Sequence, residues 1–324
     1  MVRILTTGLV VLMSGVAVGS ETQAPAIPAQ IEEMLWWLPA DTETVQVTQL
    51  SANGRGPLVD IVAPAGGASV PAGPSFAETL TRFLKAARVK ATLGGSRRFR
   101  PPKGLGSILY EGATIVRFAA TDDDAPRLMA DLKARAVKTE RFEGVEILEL
   151  QDTLEQDIWT FSIAMPMADT LVIATSRGYL NELLRRRSTR ASTRAVPGDL
   201  PEWHWVDVNA PFWALRHYSH DLSDFTQPFA AVNFMGFVDA GASGLTVHVN
   251  ADGRTVVVHY ISQGARAEEI ARKFWGQKEL GATPIVRRVA RDAVEVRLVV
   301  KDADQLGYFL FFVTAGALGH VIFV

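Results

Sequence analysis

The chain contains no cysteine among its 324 residues. This absence excludes disulfide bonds, cysteine nucleophiles, cysteine metal sites and a lipid-modified N-terminal cysteine. The chain also lacks a basic excess, because its formal net charge is −2. A protein that binds nucleic acid over its whole surface is usually basic, so we expect no nucleic-acid partner.

Sequence motifs of catalysis are also missing. The chain has no G-x-S-x-G elbow, P-loop, G-x-G-x-x-G loop, EF-hand loop or H-E-x-x-H helix. All six histidines lie at or beyond His204, so the first half of the chain has none. These absences favour a non-catalytic protein and give no reason to expect a cofactor.

The clearest pattern that is present predicts a β-hairpin over residues 245–261. Asp252-Gly253 is a favoured two-residue turn, and apolar residues alternate with polar ones on both sides of it. In this register Thr246 pairs with His259. The alternation gives the hairpin an apolar face for a core and a mostly polar face for water or a ligand.

A similar pattern over residues 107–121 predicts a hairpin in the first half, with Glu111-Gly112 as its turn. Gly112 and Gly253 lie 141 positions apart, and similar helix and hairpin patterns follow each of them. We interpret this as an internal duplication whose period is far longer than that of a solenoid repeat. The predicted fold class is α+β, with two similar units that each have an antiparallel sheet and helices packed on one face.

The N-terminus resembles a secretory signal, with Arg3, an apolar run and small residues before Glu21. It predicts an extracytoplasmic protein, periplasmic or secreted, and an uncleaved anchor is the alternative. The predicted organisation is a signal peptide at 1–20, a linker and short amphipathic helix at 21–37, a first α+β unit at 38–187, a basic linker at 188–199 and a second α+β unit at 200–324.

The C-terminal segment from Leu306 to Val324 has no charged side chain. It is just long enough to span a bilayer as a tail anchor, which would bring the protein into contact with a membrane. We favour a buried helix followed by an edge strand, because the duplicated pattern places a helix here and no basic flank follows it.

Two histidine pairs are candidate metal ligands. His217 and His220 would project from the same side of a helix, where imidazole nitrogens can bind a transition metal. His248 and His259 would be diagonal neighbours on the polar face of the hairpin. Surface histidines without a metal are the simpler interpretation of both pairs.

Two further surfaces are candidates for binding. The polar hairpin face predicts a ligand or partner surface formed by Thr246, His248, Asn250, Thr255 and His259. Two basic runs could bind an anionic partner through Arg97, Arg98, Arg100, Arg185, Arg186 and Arg187. The favoured interpretation is that these arginines belong to a solvated loop and linker whose charge nearby acidic residues balance.

The pair Trp36-Trp37 would suit a membrane interface or a sugar platform, but packing of the rings on the first unit is the favoured interpretation. The leading prediction for function is an exported, non-catalytic envelope protein that binds an unknown ligand or envelope protein through a polar sheet face or a groove between units. The alternatives are a secreted metal-dependent hydrolase that uses the histidines of the second half and a membrane-tethered structural protein.

Overall fold

A computed structural model of the chain describes residues 26–49, 79–80, 83, 88–99, 109–119, 124–154, 157–218, 239–276 and 283–312. The predicted signal peptide, His220, Arg100 and the predicted final strand lie outside these residues. The described elements are, in chain order, α1 (Ala29–Trp37), β1 (Thr44–Gln49), β2 (Val89–Phe99), β3 (Leu109–Phe118), α2 (Asp124–Arg135), β4 (Lys138–Phe142), β5 (Val145–Leu154), β6 (Asp157–Met167), β7 (Thr170–Ala174), α3 (Arg177–Thr189), a 3₁₀ helix (Pro201–Trp205), β8 (Phe212–His217), β9 (Gly244–Val249), β10 (Thr255–Ile261), α4 (Ala267–Trp275), β11 (Ile285–Ala290), β12 (Ala293–Val299) and α5 (Ala303–Phe312).

The fold is α+β and is built on one large antiparallel sheet. Its 12 strands lie in the order β11-β12-β10-β9-β8-β1-β2-β3-β7-β6-β5-β4. The two halves were predicted to have a sheet each, but β1 and β8 pair in the middle and join the halves into one sheet. The predicted linker at 188–199 also contributes to the core, because Ala195 and Val196 are buried.

The two halves of the sheet have related connections. In the first half β1, β2 and β3 are consecutive neighbours, α2 follows them, and β7 later pairs with β3. In the second half β8, β9 and β10 are consecutive neighbours, α4 follows them, and β12 pairs with β10. Among the described elements, four strands follow α2 in the first half, and two strands follow α4 in the second half.

The β9–β10 hairpin has the predicted strand register, with Thr246 opposite His259. Its connection is longer than predicted, because residues 250–254 all lie outside the strands. One carboxylate oxygen of Asp252 accepts hydrogen bonds from the backbone N–H groups of Arg254 and Thr255, both at 2.8 Å. Gly253 adopts a φ of 65°, which a glycine allows at little cost.

The hairpin predicted around Glu111-Gly112 is wrong, because both residues lie inside the continuous strand β3. Gly112 has another role there. A Cβ atom at Gly112 would lie 2.8 Å from the carbonyl oxygen of Gly95 on β2. The glycine therefore allows two strands to approach closely, which is a common reason for glycine inside a strand.

Apolar cores lie on both faces of the sheet. We call the front face the one that carries Val47 and Leu93, against which α1 and α3 pack. The opposite, back face packs against α2 in the first half and against α4 and α5 in the second. Helix α3 begins where the Ser176 side chain accepts a hydrogen bond from the backbone N–H of Tyr179, an N-cap that satisfies an otherwise free donor.

The start of the C-terminal apolar segment forms a helix that packs in the core. Leu306, Phe309 and Leu310 of α5 are buried, and the Phe309 ring lies 5.4 Å from that of Trp275. Within the part of the chain that the structure describes, no helix is both long and apolar enough to cross a membrane. Residues 313–324 lie outside this part.

Candidate binding face

A single row of cross-strand partners on the front face crosses the whole sheet. Its members are Glu140, Ile147, Ala164, Val172, Ile115, Leu93, Val47, Trp213, His248, Val257, Arg297 and Ile285. Between Ile147 and Trp213 every member is buried and apolar. Beyond Trp213 the row contains the partly exposed His248, the buried Val257 and then the exposed Arg297 and Ile285, so the front face changes character between the halves.

A buried chain of polar side chains lies beside this row in the second half. Thr246 Oγ1 lies 3.3 Å from His259 Nδ1, and His259 Nε2 lies 3.5 Å from Glu295 Oε2. Arg287 then donates to Glu295 Oε1 at 2.9 Å. Thr246 is 0% exposed and its hydroxyl also contacts the backbone oxygen of Trp205 at 3.3 Å. A substrate therefore cannot reach this hydroxyl, although the order of groups resembles a nucleophile, a base and an acid.

The surroundings of these polar side chains shift their pKa values. Burial, and then the neighbouring His248, lower the pKa of His259 to about 4. Burial also lowers the pKa of His248. Burial alone would raise the pKa of Glu295, but the hydrogen bond from Arg287 and the charge of Arg297 lower it overall. At neutral pH the two histidines are neutral, and Glu295 is an anion held by arginines.

Three rings stack along the front face. The Trp205 ring lies 5.1 Å from the His259 ring, and the His259 ring lies 6.1 Å from that of His248, with interplanar angles of 38° and 30°. The 3₁₀ helix positions this stack, because its Trp203 ring packs against Trp213 of β8 at 5.8 Å. The indole of Trp205 thus covers the inner part of the polar face.

The outer part of the face is exposed. We define the outer front patch as Ile285, Arg287, Arg297 and Val299, which the register places side by side on β11 and β12. Ile285 and Val299 are each 60% exposed, and the side chains of Arg287 and Arg297 are 58% and 43% exposed. In the described part of the chain, the helices that pack on the front face are α1 and α3, in the first half, and the 3₁₀ helix, over β8, β9 and β10.

The sequence predicted a partner surface on β9 and β10, and the most exposed side chains of the front face in the second half lie on β11 and β12. Of the five residues predicted to form that surface, Thr246 and His259 are buried. His248, Asn250 and Thr255 are partly exposed. The outer front patch was missed, although the alternation of Glu295, Arg297 and Val299 in one strand was a usable signal.

His217 lies in strand β8 and not on the predicted helix, and His220, its predicted partner in metal binding, lies outside the described residues. His248 and His259 are stacked ring against ring, and His259 directs its nitrogens at Thr246 and Glu295. His217 Nδ1 lies 3.0 Å from the fully buried carboxylate of Glu202, and this hydrogen bond raises the pKa of His217. Among the described residues no group of three or more metal-binding side chains is placed to hold an ion.

The predicted anionic-partner arginines have different surroundings. Arg97 pairs with three carboxylates, Asp41, Glu111 and Glu182, at 2.9 to 3.2 Å. Arg98 pairs with Glu43 at 3.0 Å.

The predicted arginines of the second basic run lie on α3. Arg185 is exposed, and its guanidinium carbon lies 5.5 Å from the ring centre of Phe142. Arg186 and Arg187 are partly buried beside α1. Glu182 of α3 pairs with Arg97, so residues of both basic runs lie beside the same helix.

Comparison with known proteins gives a fold likeness only. No protein-family model matches the chain, and no curated protein matches it. Three solved structures, crystal forms I, III and IV of TP0453, are similar in fold, with TM-scores of 0.50, 0.51 and 0.51. Each is 8% identical in sequence, and the alignments cover 85% of this chain and 95–96% of TP0453.

Proposed function

We propose that this chain is an exported, non-catalytic binding protein whose outer front patch docks a protein partner. The observation that carries the proposal is the change along the front face, from apolar residues under α1 and α3 to exposed residues at Ile285 and Arg297. A sheet face that helices cover in one half and leave exposed at the outer strands of the other is a natural place for a partner.

The composition of the patch supports a protein partner of a particular chemistry. Ile285 and Val299 are two of the four large apolar side chains that are exposed in the described residues. Arg297 lies between them, at 3.5 Å from Glu295, which Arg287 already neutralises. The expected partner surface has an apolar centre and a carboxylate that can meet Arg297, since arginine forms paired hydrogen bonds with carboxylates.

A catalytic role for the buried polar chain has less support. The Thr246 hydroxyl, the only nucleophile in the chain of contacts just described, is shielded by Trp205. Instead, the hydrogen bonds among these buried polar side chains fix the positions of β10, β11 and β12 beneath the patch. We interpret it as the support of a binding surface, because satisfied buried polar networks make a structure rigid.

We also propose that the two halves arose by duplication. The support is the matched order of three neighbouring strands, a helix and a returning strand in each half, with β1 and β8 antiparallel at the junction. The predicted alignment through Gly112 and Gly253 needs to be changed, because Gly112 lies in the third strand of its half rather than in a turn. The β2–β3 pair then corresponds to the β9–β10 pair.

Site-specific photo-crosslinking tests the docking proposal. A photoreactive amino acid replaces Ile285 in one variant and Val137, which is 57% exposed, in a control. In the cells that produce the protein, we expect one discrete adduct from position 285 and none from position 137. The further change Arg297→Glu should abolish the adduct. Equal adducts at both positions, or an adduct that survives Arg297→Glu, would contradict the proposal.

Fractionation of the same cells tests export separately. The mature protein should be found outside the cytoplasm, and sequencing of its N-terminus should begin at Glu21. Recovery of the full-length chain from the cytosol would overturn the proposed location. It would leave the docking proposal to the crosslinking experiment.

A further inference from the structure

A cavity of about 520 Å³ lies between α1 and α3, apart from the outer front patch. It brings together two features that are far apart in the sequence, the tryptophan pair of α1 and the arginines at the end of α3. The residues that matter are Glu33, Trp36, Trp37, Arg186, Arg187 and Arg190. Its volume is within the range of small-molecule sites in proteins, about 300–1,000 Å³.

The charge of the cavity wall is positive. The wall contains three guanidinium groups and one carboxylate, that of Glu33. Glu33 is already paired with Arg117 at 2.8 Å. Among the described residues no carboxylate lies within ion-pair distance of Arg187 or Arg190. An anion that enters the cavity would therefore supply the missing negative charge, and arginine is well suited to bind phosphate or carboxylate oxygens.

The helix dipole explains only part of this arrangement. Basic side chains in the last turn of a helix interact favourably with its C-terminal carbonyl groups. Arg186 and Arg187 are both in the last turn of α3, and Arg186 also donates to the backbone oxygen of Thr193, in the segment after the helix. Arg187 also lies over the ring of Trp37, at 5.6 Å from the ring centre, and Arg190 lies beyond the helix with a φ of 50°.

The opposite wall is aromatic. Trp37 is 5% exposed and is covered by the guanidinium groups of Arg117 and Arg187, so its position is fixed by packing. Trp36 is 36% exposed, and its indole N–H is used by a hydrogen bond to Glu32. The Trp36 ring is therefore a partly exposed surface for a flat or apolar group, held in place by its own hydrogen bond.

We propose that this cavity binds a small organic phosphate, with the phosphate on Arg187 and Arg190 and its organic group against Trp36. The proposal depends on the cavity, its unbalanced guanidinium groups and the aromatic wall. It does not depend on the outer front patch or on the proposed partner. A free phosphate ester and the headgroup of an anionic lipid share this chemistry, and the experiment separates the two sources.

Isothermal titration of the purified chain with phenyl phosphate and with inorganic phosphate tests the proposal. We expect phenyl phosphate to bind and inorganic phosphate to bind about fivefold or more weakly, because only the former contacts the indole. The double change Arg187→Gln and Arg190→Gln should weaken binding of phenyl phosphate by about tenfold or more. Arg185→Gln is the matched control, since Arg185 is adjacent in sequence but does not line the cavity, and binding should stay within about twofold.

Three results would overturn the proposal. They are no measurable binding of phenyl phosphate, an equal loss of affinity in Arg185→Gln, and equal affinities for the two anions. If the double variant does not fold, Trp36→Ala takes its place, because this partly exposed residue can be changed without opening the core. Trp36→Ala should weaken phenyl phosphate and leave inorganic phosphate unchanged, and any other result contradicts the proposal.

Sedimentation with phosphatidic acid vesicles identifies the source of the ligand. If the vesicles bind and phenyl phosphate displaces the protein from them, the cavity takes a lipid headgroup. If phenyl phosphate binds and the vesicles do not, it takes a soluble ester. Both results retain the cavity as an organic phosphate site, and phosphatidylcholine vesicles should not bind in either case.

Discussion

The two halves of the front face have the same strand geometry but differ in how far helices cover them. In the first half, Leu93 and Val172 are buried beneath α1 and α3. In the second half, partners in the same cross-strand row include His248, Arg297 and the exposed Ile285. The comparison teaches that coverage by helices, rather than strand pairing, decides which residues a row of this sheet carries.

The largest difference between the two regions should appear in stability. Leu35 of α1 is 0% exposed in the core of the covered half. Leu35→Ala should lower the free energy of unfolding by about 3 kcal/mol, because it removes buried methyl groups and leaves a cavity. Denaturation by urea measures this change. A loss of less than about 1 kcal/mol would mean that α1 is not firmly packed on the front face.

The buried polar chain should make the second half sensitive to acid. The pKa of His259 is about 4 in the folded protein and about 6.5 in an unfolded chain. As the pH falls through this window the unfolded chain binds the proton first, so stability is lost. Between pH 7 and pH 4.5 the wild type should lose about 2 kcal/mol that His259→Gln does not lose.

Val137, which is 57% exposed and carries no titratable group, supplies the control for that measurement. Val137→Ser should have the same dependence of stability on pH as the wild type. If His259→Gln is as sensitive to acid as the wild type, the histidine is not held neutral by burial.

His217 should have the opposite dependence on pH. Its hydrogen bond to Glu202 raises the pKa of His217 in the folded protein. The stabilisation is therefore complete below about pH 6.5 and is lost as the pH rises through the folded value. His217→Asn should be less stable than the wild type in mild acid and closer to it at alkaline pH. A difference that does not change with pH would exclude the charged pair.

The smallest expected effect on stability is at the outer front patch. Val299→Ser should change the free energy of unfolding by no more than about 0.5 kcal/mol, because the side chain is 60% exposed. Val137 is 57% exposed and directly precedes β4, at the opposite edge of the sheet. Val137→Ser should change the free energy of unfolding by an equally small amount. A loss above about 1.5 kcal/mol at Val299 alone would make it a packing residue and not a docking residue.

Local structure was predictable where the pattern of neighbouring residues determines it. The alternation around Asp252 predicted the register of β9 and β10 because turn and strand signals coincide there. The same reasoning failed at Gly112, where glycine is required by the nearby backbone of Gly95, a contact with a strand distant in sequence. The pairing of β1 with β8 joins segments more than 160 residues apart, and nothing local indicates it.

The candidate site was predictable to a similar extent. The sequence placed His248 and His259 on the same face, which the register confirms. It could not show that Trp205 covers His259 or that Glu295 lies beside it, because both depend on packing between separate segments. For the same reason it could not bring the α1 tryptophans and the α3 arginines into one cavity.

The account depends most on a partner at the outer front patch, and the absence of cysteine allows a direct measurement. Single cysteines introduced by Val299→Cys and Val137→Cys are labelled with a membrane-permeant maleimide, in the purified protein and in the producing cells. Both cysteines should react quickly in the purified protein. In cells, labelling at position 299 should slow by about tenfold or more while position 137 is unaffected. Equal labelling rates at the two positions in cells would contradict the account.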